Sequence, residues 1–204
     1  MNDLITSIRL FVLSVLACSV AYPVVMLAFA SVVAPEQGRG SLIQDEKGTV
    51  IGSRLLAQEF TRPEYFWSRP SACGYNASAT AGSNLSPTNP KITQRAEEII
   101  GRLQPGEGQR VPADLVLASG GGMDPHITLS AALFQVPRVA AARKMSTDET
   151  ENVVRDSTDA PTLERLGAEP LVNVLELNLA LDAVSKNAAA HRPAADNPDG
   201  VANR

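Results

Sequence analysis

The apolar positions of the chain are concentrated near its start, in an uninterrupted stretch from Leu10 to Val33. Arg9 and Glu36 flank this stretch, and no charged side chain lies between them. A helix needs about 20 mostly apolar residues to cross the hydrocarbon core of a bilayer, so the stretch is long enough even with some tilt. It also lacks the polar stripe of a surface helix in a soluble protein. The pattern predicts a short head at residues 1–9 and a single transmembrane helix at residues 10–33.

Two other interpretations of this stretch remain open. The small-x-small sequence at residues 28–30 fits a signal-peptide cleavage site, although the head carries only Arg9 against Asp3. The apolar run is also longer than the usual signal-peptide core of about 7–15 residues. A helix buried in a globular core is the second alternative. Pro23 removes one backbone hydrogen bond, which in lipid must be recovered by local rearrangement or by neighbouring helices, and it therefore favours a span packed against other helices.

One face of the predicted span carries small and polar side chains. Ser14, Cys18 and Tyr22 recur at every fourth position, with Ala17 and Ala21 beside them. Small residues four apart allow two membrane helices to approach closely, so these positions predict a partner-docking face. The alternative is that small residues are simply common in membrane spans.

The region after the span, residues 34–186, is long enough for one domain with its own hydrophobic core. Alternating segments at 41–44 and 49–52 flank a glycine-containing turn and predict a β-hairpin. Apolar residues then recur at helical spacing from Ile92 to Leu103 and predict a helix with Pro90 in its first turn.

The later part of the chain alternates between helical and extended patterns. Thr128 or Ser130 is expected to cap a helix that Pro137 breaks or kinks, and Thr147 is expected to cap the next helix. Further predictions are short helices at 112–118 and 161–166, a strand at 171–181 with a bulge or a continuation into helix, and a disordered tail at 187–204. The fold class is therefore an α/β (α+β) soluble domain tethered to a single N-terminal transmembrane helix.

Charge and cysteine content argue against a nucleic-acid partner and against a disulfide framework. The net charge is −4 and the chain contains no run of Lys or Arg, which argues against a nucleic-acid partner. Cys18 lies inside the predicted span, so it cannot form a structural disulfide with Cys73. The charges that flank the span do not decide which side of the membrane holds the soluble domain.

A few residues could support chemistry. His126 with Asp124 and either Ser119 or Ser130 could form a hydrolase triad, although a capped turn explains the same residues. Asp124 and His126 alone are too few ligands for a zinc site. The glycines at 120–122 could bind phosphate through backbone N–H groups, but the Lys and hydroxyl residue of a phosphate-binding loop do not follow them.

Three aromatic residues, Tyr65, Phe66 and Trp67, lie together in a chain with only 4% aromatics. They are interpreted as a core plug beneath a loop, with a ligand-stacking site as the alternative.

Five blocks of the chain form a recognisable set: GSNLSPTNP at 82–90, VPADLV at 111–116, ASG with MDPHI at 118–127, QVPRVA at 135–140 and VNVLELNLALD at 172–182. Together they closely resemble the KdpC family, one of the subunit families of the Kdp-type potassium-transporting ATPases. The resemblance extends in one order from the anchor to Asp182, and the residues at 65–72 fit it as well. Departures at Ser86, Leu117 and Gly121 are local.

The resemblance implies a non-catalytic accessory subunit of a bacterial inner-membrane complex that takes up potassium at the expense of ATP. Its expected partners are the subunit that carries the potassium pore and the subunit that hydrolyses ATP. The chain itself has no Asp-Lys-Thr-Gly phosphorylation motif, and one span cannot form a pore. The resemblance further implies that the soluble domain lies outside the cytoplasm.

The resemblance also implies a catalytic chaperone that raises the affinity of the pump subunit for ATP. Ser119, Gly120, Gly121 and Gln135 match the family segment that has been compared with a nucleotide-contacting signature, so they are the candidate ATP-binding residues. A domain outside the cytoplasm cannot touch cytoplasmic ATP, however. Assembly and gating, with any effect on ATP transmitted as a coupling free energy, is therefore the leading hypothesis. Direct ATP binding by a cytoplasmic domain and a membrane-anchored hydrolase using Ser119 and His126 are the alternatives.

Overall fold

The computed structural model of the chain describes residues 2–45, 47–159 and 169–190. It divides into two compact units, Met1–Leu55 and the remainder from Leu56 onward. The soluble region was predicted to begin at residue 34, after the span. In the structure the division falls after Leu55, so the predicted hairpin belongs to the same compact unit as the span.

The first unit begins with a long apolar helix. It consists of α1 (Asn2–Leu16), a π-helical turn (Ala17–Ala21) and α2 (Tyr22–Val33). The helix Asp3–Val33 contains an 18-residue window with a mean hydropathy of 2.4 and no buried residue, and it is the single candidate span in the described part of the chain. These properties fit the predicted transmembrane helix. The predicted head is not a separate element, since the helix already begins at Asn2.

The π-helical turn lies immediately before Pro23. Proline has no N–H and its ring collides with the carbonyl of the fourth preceding residue, which is Ser19 here. The wider turn accommodates the proline, and Tyr22 donates its N–H to the carbonyl of Ala17, five residues back. This is the local rearrangement that the sequence required. As a result Tyr22 stacks above Ala17, and the docking face predicted at Ser14, Cys18 and Tyr22 is not a straight stripe.

The span is followed by α3 (Pro35–Gly38) and by the predicted hairpin, which the structure confirms as β1 (Leu42–Gln44) paired antiparallel with β2 (Val50–Ser53). The carboxylate of Asp45 closes the turn by accepting the N–H groups of Lys47 at 2.9 Å and Thr49 at 2.8 Å.

Among the residues that the structure describes, the second unit combines four α-helices with a three-stranded antiparallel sheet. The sheet has the order β3–β5–β4, so the last strand in the sequence lies at the centre. In chain order the elements are α4 (Pro90–Leu103), a 3₁₀ turn (Ala113–Leu115), β3 (His126–Thr128), α5 (Leu129–Arg143), α6 (Thr147–Asp156), β4 (Thr158–Asp159), β5 (Leu171–Asn173) and α7 (Val174–Ala190). The mixed fold class is as predicted.

Of the predicted helix caps described next, one is confirmed and one is wrong by a single residue. The side chain of Thr128 accepts the N–H of Ala131 and caps α5, as predicted. Helix α6 is capped by Ser146 and not by the predicted Thr147, which occupies the first helical position. Pro137 does not end α5, which continues to Arg143. The 3₁₀ turn Ala113–Leu115 is all that forms of the helix predicted at 112–118.

The strand predicted at 171–181 passes directly into a helix, which was the second of the two interpretations. Asn173 ends β5, and its side-chain oxygen accepts the N–H groups of Leu175 and Glu176, so it caps the new helix. Helix α7 continues to Ala190, four residues into the predicted tail. The helix predicted at 161–166 and the tail from residue 191 onward lie outside the described residues.

The core of the second unit lies where α5, α6 and α7 meet the sheet. Phe66 comes from the loop region and is fully buried in this core. This confirms the core-plug interpretation for Phe66. The other large apolar side chains that are fully buried in the core are Ile127, Val136, Val139, Val154, Val172, Val174, Leu177 and Leu181.

Candidate functional site

Side chains from three of the five blocks that carry the family resemblance, or the backbone beside them, contact one extended segment, residues 62–70, which we call the strap. In the part of the chain that the structure describes, the strap is not paired with a strand of the sheet. Its backbone is bound by side chains of α5 and α7, and Asp182 of α7 binds the hydroxyl of Tyr65; the helix residues involved are Gln135, Arg138, Arg143, Asn178 and Asp182. All but Arg143 belong to two of the five blocks, so the strap connects these two blocks.

Two buried amide side chains hold consecutive strap residues. Asn178 accepts the N–H of Phe66 at 2.8 Å and donates to its carbonyl at 3.1 Å. Gln135 does the same for Trp67, at 2.8 Å and 3.2 Å. Gln135 and Asn178 are only 1% and 2% exposed, so these amides replace the hydrogen bonds that a neighbouring strand would provide.

Arg138 binds the strap beside the two amides. Its guanidinium donates to the carbonyls of Pro63 at 2.7 Å and Tyr65 at 3.1 Å, and it lies 3.9 Å from the centroid of the Trp67 ring. Arg102 approaches the same ring at 5.1 Å. Burial, together with the charge of Arg102, lowers the pKa of Arg138 to about 10. The arginine remains charged at neutral pH, and it contacts backbone carbonyls, the Trp67 ring and the amide oxygen of Gln135.

Arg143, at the end of α5, and Asp182, in the middle of α7, attach the start of the strap to these two helices. Arg143 donates to the carbonyl of Glu64 at 2.6 Å and to the Asp182 carboxylate at 2.8 Å. The hydroxyl of Tyr65 donates to the same carboxylate at 3.2 Å. Only 7% of the Arg143 side chain is exposed but 37% of the Asp182 side chain is, so water screens this ion pair from the carboxylate side.

The glycine run packs against the other end of the strap. Ser119 is buried, and its N–H donates to the carbonyl of Pro70 at 3.1 Å. Gly120 and Gly121 are exposed, and a Cβ atom at either position would meet nothing within 4 Å. These two residues therefore have the open surroundings that a ligand would need.

Gly122 has a different role from its two neighbours. Its φ of +72° lies in the left-handed region, and an added Cβ would lie 2.6 Å from the sulfur of Cys73 and 2.9 Å from the carbonyl oxygen of Ala81. Glycine is required here because the backbone turns sharply against a packed loop.

The candidate ATP-binding residues Ser119 and Gln135 contact different residues of the strap. Ser119 binds the strap at Pro70, whereas Gln135 binds it at Trp67. The amide oxygen and nitrogen of Gln135 are both engaged with protein atoms, including an additional bond from Arg138 at 2.7 Å. A nucleotide could reach Gln135 only by displacing these internal hydrogen bonds.

A cavity borders Trp67, but it is too small for a nucleotide. Its volume is about 60 Å³, whereas ligand pockets usually measure about 300–1,000 Å³. Glu59, Tyr75 and Arg102 contribute polar groups to its lining. Burial, with a further contribution from the charge of Glu59, raises the pKa of Tyr75 to about 12, so the phenol stays protonated. The cavity has room for about one or two water molecules.

Asp124 and His126 come together as the sequence suggested, but as part of an ion-pair group. Asp124 accepts the N–H of His126 at 3.0 Å, contacts its imidazole Nδ1 at 3.5 Å, and pairs with Arg69 of the strap at 3.0 Å. The hydrogen bond between the two side chains lowers the pKa of Asp124 and raises the pKa of His126. A histidine whose protonated form is favoured is a weak general base near neutral pH. In the part of the chain that the structure describes, no cluster of three metal-ligating side chains is present.

The fold and these contacts define a class of protein: a soluble α/β domain preceded by a helix that is long and apolar enough to span a membrane, with side chains of α5 and α7 that hold the strap. The chain belongs to the family described as KdpC, the c chain of the K⁺-transporting ATPases, whose sequence pattern matches residues 4–183. Its role is therefore in potassium transport, as one subunit of an ATPase complex, and it is associated with the membrane.

Curated relatives agree with this assignment. A protein named Potassium-transporting ATPase KdpC subunit from Parvibaculum lavamentivorans is 45% identical over 184 residues, which cover 90% of this chain and 98% of the relative. A protein with the same name from a Janthinobacterium species is 45% identical over 179 residues, covering 85% and 94%. One from Geobacter sulfurreducens is 43% identical over 188 residues, covering 90% and 99%.

The sequence contained a signal for the strap contacts that sequence reasoning missed. Gln135 and Arg138 are three residues apart, and Asn178 and Asp182 are four apart, in helices that are otherwise mostly apolar. Such spacing places each pair on one helix face, toward the core. Buried polar residues of this kind require hydrogen-bond partners, but the pattern does not say which segment supplies them.

Proposed function

We propose that this chain is a non-catalytic accessory subunit that acts in the assembly and gating of the potassium-transporting complex. Its span lies in the bacterial inner membrane and packs against the membrane helices of the pore subunit and the ATP-hydrolysing subunit. Its soluble domain lies outside the cytoplasm. The observation that carries the proposal is that the polar side chains of two motifs are used to hold the strap. Residues engaged in this way are not free to act on a substrate.

In this proposal, any influence on the ATP affinity of the pump subunit is a coupling free energy transmitted through the complex. The candidate residue Gln135 supports this route because its amide already binds Trp67 and Arg138. Gly120 and Gly121 are exposed, so direct contact with ATP at these two residues is the alternative.

A matched pair of substitutions distinguishes coupling from contact. Gln135→Ala and Asn178→Ala each remove an amide that holds one strap residue, but only Gln135 is a candidate ATP ligand. We expect both variants to reduce the ATP affinity of the assembled complex to a similar degree. If ATP binding falls with Gln135→Ala alone, or if labelled ATP cross-links to this chain at Gly120 or Gly121, direct contact is correct and the coupling proposal fails.

A topology reporter tests the side of the membrane. It is best fused at the C-terminus, because a fusion directly after Asp182 would interrupt α7. Ser185, in this part of the helix, donates to the carbonyl of Leu181 and accepts a hydrogen bond from Arg143. We expect activity of an outward-facing reporter such as alkaline phosphatase and none of a cytoplasmic reporter. The opposite result would support the cytoplasmic nucleotide-binding alternative.

The docking role of the span rests on Ser14, Cys18 and Tyr22. We expect bulky substitutions at Ser14 and Cys18, such as Ser14→Leu, to reduce co-purification of the pore and ATP-hydrolysing subunits. A matched change at a position that is already large, such as Leu13→Phe, should have little effect. Equal co-purification of all variants would assign the essential contacts to the region after the span.

The hydrolase alternative is tested at His126, whose pairing with Asp124 favours the protonated form. We expect His126→Ala to leave potassium-limited growth intact. Loss of growth with a normally assembled complex would contradict the non-catalytic assignment.

A further inference from the structure

The π-helical turn makes room for the ring of Pro23 but leaves backbone carbonyls without their donors. Tyr22 donates its N–H to the carbonyl of Ala17, five residues back, so this N–H does not serve the carbonyl of Cys18. In the widened turn the Cys18 carbonyl would pair with residue 23, which is a proline and has no N–H. The carbonyl of Ser19 loses its usual donor, four residues ahead, for the same reason. Cys18 therefore presents an acceptor that the helical backbone does not satisfy.

In the part of the chain that the structure describes, no side chain of the span replaces the missing donor. Hydroxyl side chains in helices donate to carbonyls three or four residues back, as Ser31 does to Leu27 at 2.6 Å. The residues three and four positions after Cys18 are Ala21 and Tyr22, and neither carries a hydroxyl close to the backbone. The acceptor is therefore left to a group outside this chain.

The hydroxyl of Tyr22 is a second polar group at the same place. The residue is 64% exposed, and within the described residues its hydroxyl makes no hydrogen bond. Tyrosine in membrane spans is enriched at the two interfaces, where its hydroxyl reaches polar surroundings. Tyr22 lies instead near the middle of the apolar stretch at residues 10–33. Because helical side chains point back toward the preceding turn, its ring extends toward the level of Cys18.

The depth of these two groups excludes the usual polar surroundings of a membrane helix. At about 1.5 Å per residue, Cys18 lies about 12 Å from Leu10 and about 22 Å from Val33 along the helix. The hydrocarbon core is about 30 Å thick, so headgroups do not reach this level, and acyl chains offer no donor. A charged donor is costly at the same depth. An uncharged polar side chain on another membrane helix satisfies the carbonyl without that cost.

We propose that a membrane helix of a partner subunit places an uncharged hydroxyl or amide side chain against the π-helical turn. This group donates a hydrogen bond to the Cys18 carbonyl and accepts one from the Tyr22 hydroxyl, because the side chains of serine, threonine, asparagine and glutamine both donate and accept. The small side chain of Ala21 leaves room for the approach. This contact rests on the proposed packing of the span against other subunits and gives that packing a defined chemistry.

Isotope-edited infrared spectroscopy tests the carbonyl directly. In the variant Cys73→Ser, Cys18 is the single cysteine of the chain, so cysteine labelled with ¹³C at its carbonyl carbon marks one backbone group. Spectra are recorded for the labelled chain alone in nanodiscs and in the complex with unlabelled partner subunits. We expect the band of the label to shift to lower wavenumber on assembly, because a hydrogen bond weakens the C=O bond. A band that does not move in an assembled complex would overturn the proposal.

Pro23→Ala in the same labelled chain is the spectral control. Alanine restores the N–H at residue 23 and a regular helix, so the Cys18 carbonyl receives an internal donor. We expect the label in this variant, in nanodiscs without partner subunits, to absorb at the lower, hydrogen-bonded wavenumber. If the chain with and without Pro23 gives the same band, the carbonyl is already satisfied in the isolated chain and the proposal is wrong.

Association strength tests the hydroxyl of Tyr22. Tyr22→Phe removes only the hydroxyl, whereas the control Ser31→Ala removes a hydroxyl that is already bonded within the span. The dissociation constant is measured by titrating the fluorescently labelled full-length chain with the other subunits in mixed micelles. We expect Tyr22→Phe to weaken association about threefold to tenfold, the effect of one interhelical hydrogen bond, and Ser31→Ala to leave it unchanged. Equal dissociation constants for Tyr22→Phe and the wild type would contradict the proposed pairing.

Other outcomes separate this contact from the assembly role itself. If the chain joins the complex but neither the label nor Tyr22→Phe responds, the hydrogen-bonded contact is wrong while the assembly role stands. If the chain does not co-purify with the other subunits, both are wrong. If the band shifts in nanodiscs that hold two copies of this chain and no other subunit, the donor belongs to a second copy, and the assignment to a partner subunit is overturned.

Discussion

The amide of Asn178 offers the sharpest test of how the strap is held. Asn178→Ala removes both the acceptor for the N–H of Phe66 at 2.8 Å and the donor to its carbonyl at 3.1 Å. The site is 2% exposed, so water does not readily replace them. Each backbone group left unsatisfied costs about 1–3 kcal/mol, and we expect a loss of about 3–5 kcal/mol in unfolding free energy. That is a large part of the total stability of a domain, about 5–15 kcal/mol.

Trp67 provides the assay because it is the single tryptophan of the chain and lies in the strap next to Phe66. Urea unfolding of the full-length protein in detergent is followed by Trp67 fluorescence and, in parallel, by far-ultraviolet circular dichroism. The control is Gln94→Ala, which removes an exposed helical amide whose bond to Glu98 measures 3.4 Å. The control should change the free energy of unfolding by less than about 0.5 kcal/mol.

The two probes also distinguish local from global effects. If the strap detaches before the helices unfold, the fluorescence transition of Asn178→Ala will precede the dichroism transition. Coincident transitions shifted to lower urea would mean that the strap and the helical core unfold together. A loss below about 1 kcal/mol by both probes would refute the reasoning, because it would mean that other groups satisfy the Phe66 backbone.

Three further predictions follow from the glycine run, the ion-pair group and the π-helical turn. Gly122→Ala should destabilise the protein by about 2–4 kcal/mol, because it forces a Cβ into a left-handed and crowded position, whereas Gly121→Ala should be nearly neutral in the same urea assay. Because the pKa of His126 is raised in the fold, its pairing stabilises the protein below pH about 6.5, the ordinary histidine pKa. Because the pKa of Asp124 is lowered, its pairing stabilises the protein above pH about 3.9, the ordinary aspartate pKa. Stability should therefore be highest between these values and decline above about pH 6.5, and His126→Gln should remove that alkaline decline in unfolding measured from about pH 5.5 to about pH 8. Pro23→Ala should restore a regular helix and rotate the docking face, so co-purification with partner subunits should fall, and unchanged co-purification would show that the π-helical turn does not set the contact.

Local patterns accounted for the elements that the sequence predicted well. The apolar run of the span, the hairpin closed by Asp45 and Gly48, and helix α4 all depend on residues close together in the chain. The strand at 171–181 was ambiguous because its alternation breaks at one point. In the structure, Asn173 ends the strand and caps the helix that follows. Asparagine often caps helices, but the sequence alone did not show that this one does.

Long-range contacts account for what the sequence did not predict. Phe66 and Asn178 are separated by 112 residues, and Trp67 and Gln135 by 68. Neither periodicity nor capping chemistry specifies which buried amide binds which backbone group, because many pairings satisfy the same donors and acceptors. For the same reason the sequence alone does not show that the amide of Gln135, a candidate ATP-binding residue by resemblance, is engaged inside the fold.

The placement of the motifs bears on where this protein meets the rest of the complex. A binding or catalytic site directs polar side-chain atoms toward a cavity. Here Gln135, Arg138 and Asn178 direct theirs toward the strap backbone, and the cavity next to Trp67 holds only about 60 Å³. These motif side chains therefore maintain the architecture of the domain. We expect contacts with other subunits to use exposed groups instead, such as Gly120 and Gly121 and the apolar residues of the hairpin. Substitutions there should alter assembly or transport while leaving the unfolding free energy nearly unchanged.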